Sequence, residues 1–194
     1  MRAPPPFEGL RPPYGAVLAD PPWRFQVWGE ETGADRSPTY TLMSSALIMD
    51  MPVERLAAPD CVLFLWVTWP MLLEGLATLQ AWGFTYKSCA FAWIKANTSQ
   101  LEMFRDDADP DMLLGYWTRS NSEVCLLGTK GKPKRLDAGV RQAIIEPRRE
   151  HSRKPNCVHE RIERLVAGPY LELFARQRRP NWDAWGNELE KFNI

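Results

Sequence analysis

Residues 16–23 read AVLADPPW, and this stretch decides the fold that we predict for the chain. The apolar run Ala16–Ala19 predicts a buried strand that ends at Asp20. The two prolines that follow stiffen the backbone and lack N–H groups, so we expect a rigid turn directly after the strand. In an open α/β sheet, ligands collect at the carboxyl ends of the strands. The stretch therefore predicts a binding site at Asp20.

Strands and helices are predicted to alternate along the rest of the chain, which indicates an α/β sheet with helices on its faces. The further predicted strands are Cys61–Trp66, Thr85–Ile94, Glu123–Leu127, Gln142–Ile145, Tyr170–Phe174 and Trp182–Trp185. The predicted helices are Ser44–Ala57, capped by Ser44 or Ser45, Met71–Trp82, ended by Gly83, and Pro155–Val166. We expect one domain over residues 1–194, with residues 1–13 as an extended lead-in.

The composition is that of an ordinary globular protein, with 45% hydrophobic and 25% charged residues among 194. No apolar run approaches the roughly 18–20 residues of a membrane span, and the N-terminal segment is unlike a signal peptide. We therefore predict an intracellular, cytoplasmic protein. The chain has four cysteines, none at metal-ligand spacing, and only two histidines. We therefore expect no metal site.

The charge is unevenly distributed along the chain. The formal net charge is zero, yet Arg119–Lys154 contains 10 basic and 4 acidic residues, an excess of six positive charges. Such a segment suits a surface that binds nucleic-acid phosphates, and Arg149 lies within it. A solvated loop would explain the same charges, so both interpretations stay open at this point.

The residues Asp20 to Trp23 form a candidate receptor for a planar amine such as adenine N6. The lone pair of that nitrogen is delocalised into the ring, which makes it a poor nucleophile. Hydrogen bonds from the amino group to the Asp20 carboxylate and the Pro21 carbonyl would localise the lone pair and stabilise the developing positive charge. Because Pro21 and Pro22 supply no N–H, we expect the local carbonyls to be open to a ligand, with Trp23 stacked on the base. The alternative is a proline-rich turn in which Trp23 is a core aromatic.

Two further groups of residues suit a nucleoside with a charged tail. Arg176 and Arg178 follow the predicted strand Tyr170–Phe174, with Asn187 and Glu188 further on, and such side chains suit ribose hydroxyls. Lys154 stands before a predicted helix start, where a carboxylate would bind. The alternatives are a basic surface turn and a plain helix start.

Together these residues resemble the MT-A70 family of adenine N6-methyltransferases, above all its compact bacterial and phage members. The similarity extends from about Tyr14 to Leu189. It rests on ADPPW at residues 19–23, GYW at 115–117 leading to EVCL at 123–126, KP at 154–155 before IERL at 162–165, ELFAR at 172–176, NW at 181–182, and GN at 186–187.

The resemblance implies a Rossmann-like class I methyltransferase fold in the permuted, beta-type order, with S-adenosylmethionine as cofactor. It implies that Asp20, Pro21, Pro22 and Trp23 are catalytic. The implied cofactor contacts are Asp20, Lys154 at the carboxylate, Phe174, Arg176, Arg178, Asn187, Glu188, and Phe7 near the adenine. The implied substrate contacts are Trp23, Tyr40, Trp117, Glu123 and Arg149. Two positions depart from the pattern: Ala175 where glycine is common, and Glu188 where the eukaryotic catalytic subunits have glutamine.

Several alternatives remain beside adenine N6 methylation. Related Asn/Asp-Pro-Pro-aromatic motifs serve cytosine N4 and protein glutamine methylation, although the order of the motifs favours adenine. The protein could instead be an inactive nucleic-acid-binding subunit that positions an active partner. We favour DNA over RNA as substrate, because the chain resembles the compact bacterial and phage members. A homodimer and a heterodimer are both compatible with the sequence.

Overall fold

The computed structural model describes residues 7–24, 42–96, 117–118, 120–150 and 153–192. Its strands are β1 (Tyr14–Ala19), β2 (Ala57–Val67), β3 (Thr85–Ala96), β4 (Ser122–Lys130), β5 (Ala143–Pro147), β6 (Tyr170–Leu173) and β7 (Trp182–Trp185). Its helices are α1 (Ser45–Met49), α2 (Leu72–Ala81) and α3 (Cys157–Leu165), with single 3₁₀ turns at Val53–Arg55 and Trp69–Met71.

The seven strands form one sheet in the order β5-β3-β4-β2-β1-β6-β7. Six of them run in the same direction, and β4 runs against its neighbours β2 and β3. The carboxyl ends of the six parallel strands and the start of β4 therefore lie along one edge of the sheet. Asp20 follows β1 at this edge, as the sequence predicts.

Helices cover both faces of the sheet, because β1 and β2 carry apolar side chains on both sides. On one face, Val17 and Ala19 of β1 pack in a core that includes Leu79 of α2. On the other face, Ala16 and Leu18 pack in a core that includes Val158 and Ile162 of α3. The chain is thus a mixed α/β protein, in agreement with the predicted class. No helix within the described ranges is long and apolar enough to cross a membrane.

The predicted helix Ser44–Ala57 is wrong in its length. Helix α1 ends at Met49, a 3₁₀ turn follows at Val53–Arg55, and Ala57 already belongs to β2. Pro52 explains the break, because it lacks the N–H that a continuing helix needs. The cap is confirmed as Ser44, whose side chain accepts a hydrogen bond from the backbone N–H of Leu47.

The other predicted elements are confirmed, β7 with the predicted bounds and the rest with shifted ends. Gly83 ends the α2 segment with φ +82°, and its N–H donates to the Gln80 carbonyl. β2, β3 and β4 are longer than the apolar runs that predict them. β2 begins at Ala57, which pairs with Tyr14, and pairing with β5 extends β3 to Ala96, while β4 pairs with its neighbours from Ser122 to Lys130. β6 ends one residue early, since Phe174 adopts a left-handed conformation with φ +61°.

Candidate functional site

Asp20 lies in a row of four alternating charges at the carboxyl edge of the sheet. The Lys154 ammonium donates to both carboxylate oxygens of Asp20, each at 2.8 Å. The same ammonium lies 3.2 Å from Glu123 Oε2, and Lys95 Nζ lies 2.5 Å from Glu123 Oε1. The four side chains are only 11–23% exposed. Strands β3 and β4, the turn after β1 and the segment before α3 each contribute one of these residues, so tertiary structure holds the Asp20 carboxylate in place.

The charges in this row stabilise one another. Burial by itself would raise the pKa of Glu123, but Lys154 and Lys95 lower it to about 2. Burial by itself would lower the pKa of Lys154, but Asp20 and Glu123 raise it above its usual value. The ammonium also lies 5.5 Å from the centre of the Trp66 ring, a cation–π contact. Lys154 therefore stays charged near neutral pH.

A pocket opens beside Asp20 between α3 and the end of β6. Four residues named from the sequence line it, namely Asp20, Lys154, Phe174 and Arg176. The other lining residues were not predicted from the sequence, and these are Leu18, Trp66, Arg153, Val158, His159, Glu172, Gln177, Arg179 and Phe192.

Glu172 and His159 are the missed pair with the clearest signal in the sequence. Glu172 stands between the buried Leu171 and Leu173 in a core strand, where an acidic side chain is unusual. His159 lies on the buried face of α3, and its Nε2 lies 2.8 Å from Glu172 Oε2. An acid inside an apolar strand is thus the signal that indicates a pocket carboxylate.

The turn after β1 differs from the expectation in two respects. The Pro21 carbonyl accepts the N–H of Trp23 at 2.8 Å, and the Pro22 carbonyl accepts the N–H of Met43 at 2.9 Å. The expectation that these carbonyls lack a nearby N–H is therefore wrong, because the chain folds back on itself and a second segment pairs with it. A carbonyl has two lone pairs, so Pro21 retains one acceptor site.

Trp23 is a core residue in this structure. Its side chain is 5% exposed, and its indole N–H donates to the Trp66 carbonyl at 3.0 Å. The expected stacking on a base is therefore not available to Trp23 in this conformation. The indole instead fixes the turn that carries Asp20 to the end of β2.

The end of β6 is shaped by a group of three aromatic rings and by the unusual backbone conformation of Phe174. The ring of Trp185 meets Phe7 at 5.1 Å and Phe174 at 5.8 Å, both edge-to-face. Phe7 is thereby brought next to Phe174, which lines the pocket. Phe174 has a φ of +61°, a strained conformation for a non-glycine residue and one that concentrates at functional sites.

The residues predicted near the ribose separate into two groups. Arg176 Nε lies 3.1 Å from Glu188 Oε2, and the Arg176 side chain is 12% exposed. Arg178 points away, since it is 63% exposed and pairs with Glu190, and Asn187 is exposed as well. The turn between β6 and β7 thus directs Arg176 to the pocket and Arg178 to solvent.

The predicted substrate contacts are spread over the surface, apart from the buried Trp23 and Glu123. Arg149 is exposed and lies 4.0 Å from Glu150, and Trp117 is 91% exposed. Tyr40 lies outside the described residues. In the described part of the chain, no three histidine, cysteine, aspartate or glutamate side chains are grouped as metal ligands.

Gly186→Ala is expected to destabilise the end of β6. An added Cβ would lie 2.4 Å from the Ala175 carbonyl oxygen and 2.8 Å from its nitrogen, so the backbone beside Phe174 has to move. We expect the free energy of unfolding to fall by about 1–3 kcal/mol, as for other overpacking changes. Denaturant unfolding measures this. Gly139→Ala is the control, since its Cβ would meet only the Asp137 carboxylate, at 3.1 Å. Equal stabilities of the two variants would contradict the prediction.

Proteins built on parallel α/β sheets bind their ligands at the carboxyl edge, and the position of Asp20 and its pocket puts this chain in that class. Residues 14–188 match the family model MT-A70, which covers most of the chain. The chain belongs to the MT-A70 methyltransferase family.

Two kinds of relatives are similar to this chain. Type II methyltransferase M.MunI of Mycoplasma sp. is 30% identical over 198 residues, which cover 92% of this chain and 79% of the relative. The N(6)-adenosine-methyltransferase catalytic subunit METTL3 of Homo sapiens is 31% identical over 186 residues, or 93% of this chain. The MT-A70-like protein of Drosophila melanogaster is 32% identical over 185 residues. The match spans only 29% and 28% of these two animal proteins.

Proposed function

We propose that this protein is an S-adenosylmethionine-dependent methyltransferase that methylates N6 of adenine in nucleic acid, with DNA favoured over RNA. The observation that carries the proposal is the Asp20 carboxylate, held by Lys154 beside a pocket at the carboxyl edge of the sheet. Family membership and the similarity to the human relative, an N(6)-adenosine-methyltransferase, support the same reaction. The resemblance to the compact bacterial members of the family supports DNA as the substrate.

The pocket residues fit the charged end of such a cofactor. Arg153 has a buried Nε that makes no hydrogen bond to any of the described residues, which suits a carboxylate. Glu172 supplies a carboxylate that suits an ammonium group, and Glu188 beside Arg176 suits ribose hydroxyls. The catalytic motif follows β1 and the pocket strand is β6, an order that supports the permuted form of a Rossmann-like fold.

S-adenosylmethionine, when bound, supplies a methyl group on a sulfonium. The residues of this chain act on the adenine amino group that receives the methyl group. The Asp20 carboxylate accepts a hydrogen bond from the adenine amino group, and the second lone pair of the Pro21 carbonyl can accept another. These bonds localise the nitrogen lone pair and stabilise the positive charge that develops on it. Lys154 fixes the Asp20 carboxylate, and Trp23 anchors the turn to β2.

The nucleic acid would meet exposed basic residues near the pocket. Arg149 is exposed in the segment between β5 and α3. Arg149 precedes the pocket residue Arg153 by four positions, and its guanidinium group can bind a phosphate without reading sequence. We also propose that the protein acts inside the cell, as a homodimer or a heterodimer.

A methylation assay with mapped products tests the proposed function. The purified protein is incubated with labelled S-adenosylmethionine and single-stranded DNA or RNA that contains one adenine, with adenine-free oligonucleotides as controls. We expect N6-methyladenine in the adenine-containing strands, formed faster in DNA. A product on cytosine would favour N4 methylation. Tight cofactor binding without any product would favour the inactive-subunit alternative.

A further inference from the structure

Trp69 is an exposed aromatic residue at the carboxyl edge of the sheet, where Asp20 also lies. Strand β2 ends at Val67, and Thr68 continues in an extended conformation to Trp69, which is 50% exposed. A tryptophan usually buries most of its surface. Five others in the described part of the chain are 7% exposed or less, and these are Trp23, Trp66, Trp82, Trp93 and Trp182. The exposure of Trp69 makes a large flat ring available to a ligand.

Two contacts hold this ring in one orientation. The indole N–H of Trp69 donates to the hydroxyl of Ser122 at 2.9 Å, and Ser122 directly precedes Glu123 of the charge row. The 3₁₀ turn that begins at Trp69 is closed by the N–H of Met71, which donates to the Thr68 carbonyl at 2.9 Å, and the Met71 side chain is buried. The ring therefore loses little conformational freedom when a ligand binds, which favours binding.

The ring lies one strand away from the candidate catalytic residue. Ala19 of β1 pairs with Leu65 of β2. Asp20 follows Ala19 directly, and Trp69 follows Leu65 by four positions. With about 3.3 Å per residue along a strand and about 4.8 Å between strands, Trp69 is on the order of 10 Å from Asp20. This separation suits a nucleotide next to the target adenine better than the target itself.

A nucleobase is the ligand that this ring fits best. Every base has a π-face, so stacking on an aromatic ring holds a single strand whatever its sequence. Trp23 is a core residue and is not available for such stacking, whereas Trp69 offers an exposed ring beside the same site. Another protein could also cover an exposed tryptophan, but the position of Trp69 at the ligand-binding edge of the sheet favours the base.

We propose that Trp69 stacks on a base next to the target adenine and holds the strand while the adenine amino group meets Asp20. The inference rests on the proposed function, since it presumes that the substrate is adenine in nucleic acid. The stacked contact is the same before and during methyl transfer, so it stabilises the bound substrate and the transition state equally. Trp69 therefore contributes to KM, and kcat depends little on it.

Steady-state kinetics on strands with abasic sites test this role. The substrates are a single-stranded DNA with one adenine and two versions that lack the base immediately before or immediately after it. We expect the wild-type kcat/KM to fall about 5- to 150-fold on one of the abasic strands, the value of one stacked base. Trp69→Ala should lose a similar factor on the intact strand through KM, and removing the base should then have little further effect. Trp69→Phe, which keeps a smaller flat ring, should give an intermediate ratio.

Tyr86→Ala is the matched control, because Tyr86 is 44% exposed and lies near the start of β3, at the opposite edge of the sheet. It should keep the wild-type KM and the wild-type ratio between intact and abasic strands. The inference is overturned if the wild-type protein methylates all three strands equally, or if Trp69→Ala keeps the wild-type ratio. In the latter case, a changed oligomeric state of Trp69→Ala in light scattering would assign the ring to a protein contact.

A wild-type protein that methylates none of the strands would refute the proposed function itself, and the inference with it. Should Trp69→Ala fail to fold, Trp69→Phe decides by the same ratio.

Discussion

Asp20→Asn is expected to lower the rate of methyl transfer by at least about 100-fold, the scale for losing one oxyanion-hole-type contact. The asparagine side chain is neutral, so it cannot stabilise the positive charge that develops on the amino group. One of its two polar atoms is an amide nitrogen, which donates where the carboxylate accepts. Its oxygen can still accept one hydrogen bond from Lys154, so we expect the turn after β1 to keep its shape.

The measurement is the initial rate on an adenine-containing DNA strand, beside the melting temperature and the Kd of S-adenosylhomocysteine. Asp50→Asn is the control, because Asp50 is exposed and follows α1 away from the pocket. We expect the control to keep the wild-type rate. A rate for Asp20→Asn within a few-fold of wild type would remove Asp20 from the catalytic role.

The apolar strands were predictable from the sequence because their signals are local. β1 and β2 contain the continuous apolar runs Ala16–Ala19 and Cys61–Trp66, each beside an aspartate, so each run indicates a buried strand. The failure at Ser44–Ala57 has a local cause too, since Pro52 is visible in the sequence and breaks the helix.

The partners of the site residues were not predictable, because they depend on tertiary structure. Lys154 and Asp20 are 134 positions apart, and only the packing of α3 against β1 makes them an ion pair. The sequence indicated that both belong to the site, but it offered no way to see that the two side chains bind each other. Arg176 and Arg178 likewise point in different directions because of the turn that follows Phe174. That turn depends on the positive φ of Phe174, and a phenylalanine at this position does not predict a positive φ.

Lys154→Met is expected to be the most destabilising substitution in the site. It removes the cation from between Asp20 and Glu123, and it leaves two carboxylates that are 23% and 16% exposed near one another. Removing one partner of a buried pair costs about 3–5 kcal/mol of stability. Lys87→Met is the control, because Lys87 is exposed on β3 and remote from the charge row, and it should change stability little. Denaturant unfolding at pH 7 measures both.

The pH dependence of the stability lost in Lys154→Met shows whether the loss comes from the missing positive charge or from the changed shape of the side chain. In the wild-type protein, Lys154 and Lys95 lower the pKa of Glu123 from 4.5 to about 2. A lowered pKa contributes stability that is present above about 4.5 and is lost as the pH falls towards about 2. Without Lys154 the pKa of Glu123 is lowered less, so the variant loses less stability over that window. The stability difference between wild type and Lys154→Met should therefore narrow as the pH falls below about 4.5.

A double variant makes the same distinction at neutral pH. Asp20→Asn/Lys154→Met removes one of the two carboxylates that lose Lys154 as a partner, and replacing both members of a buried pair costs less than removing one. We therefore expect the double variant to be more stable than Lys154→Met alone, even though it carries one more substitution at the site. If it is less stable, and if the loss in Lys154→Met does not change with pH, then the changed shape of the side chain explains the effect, and the charge row does not hold Asp20 in place.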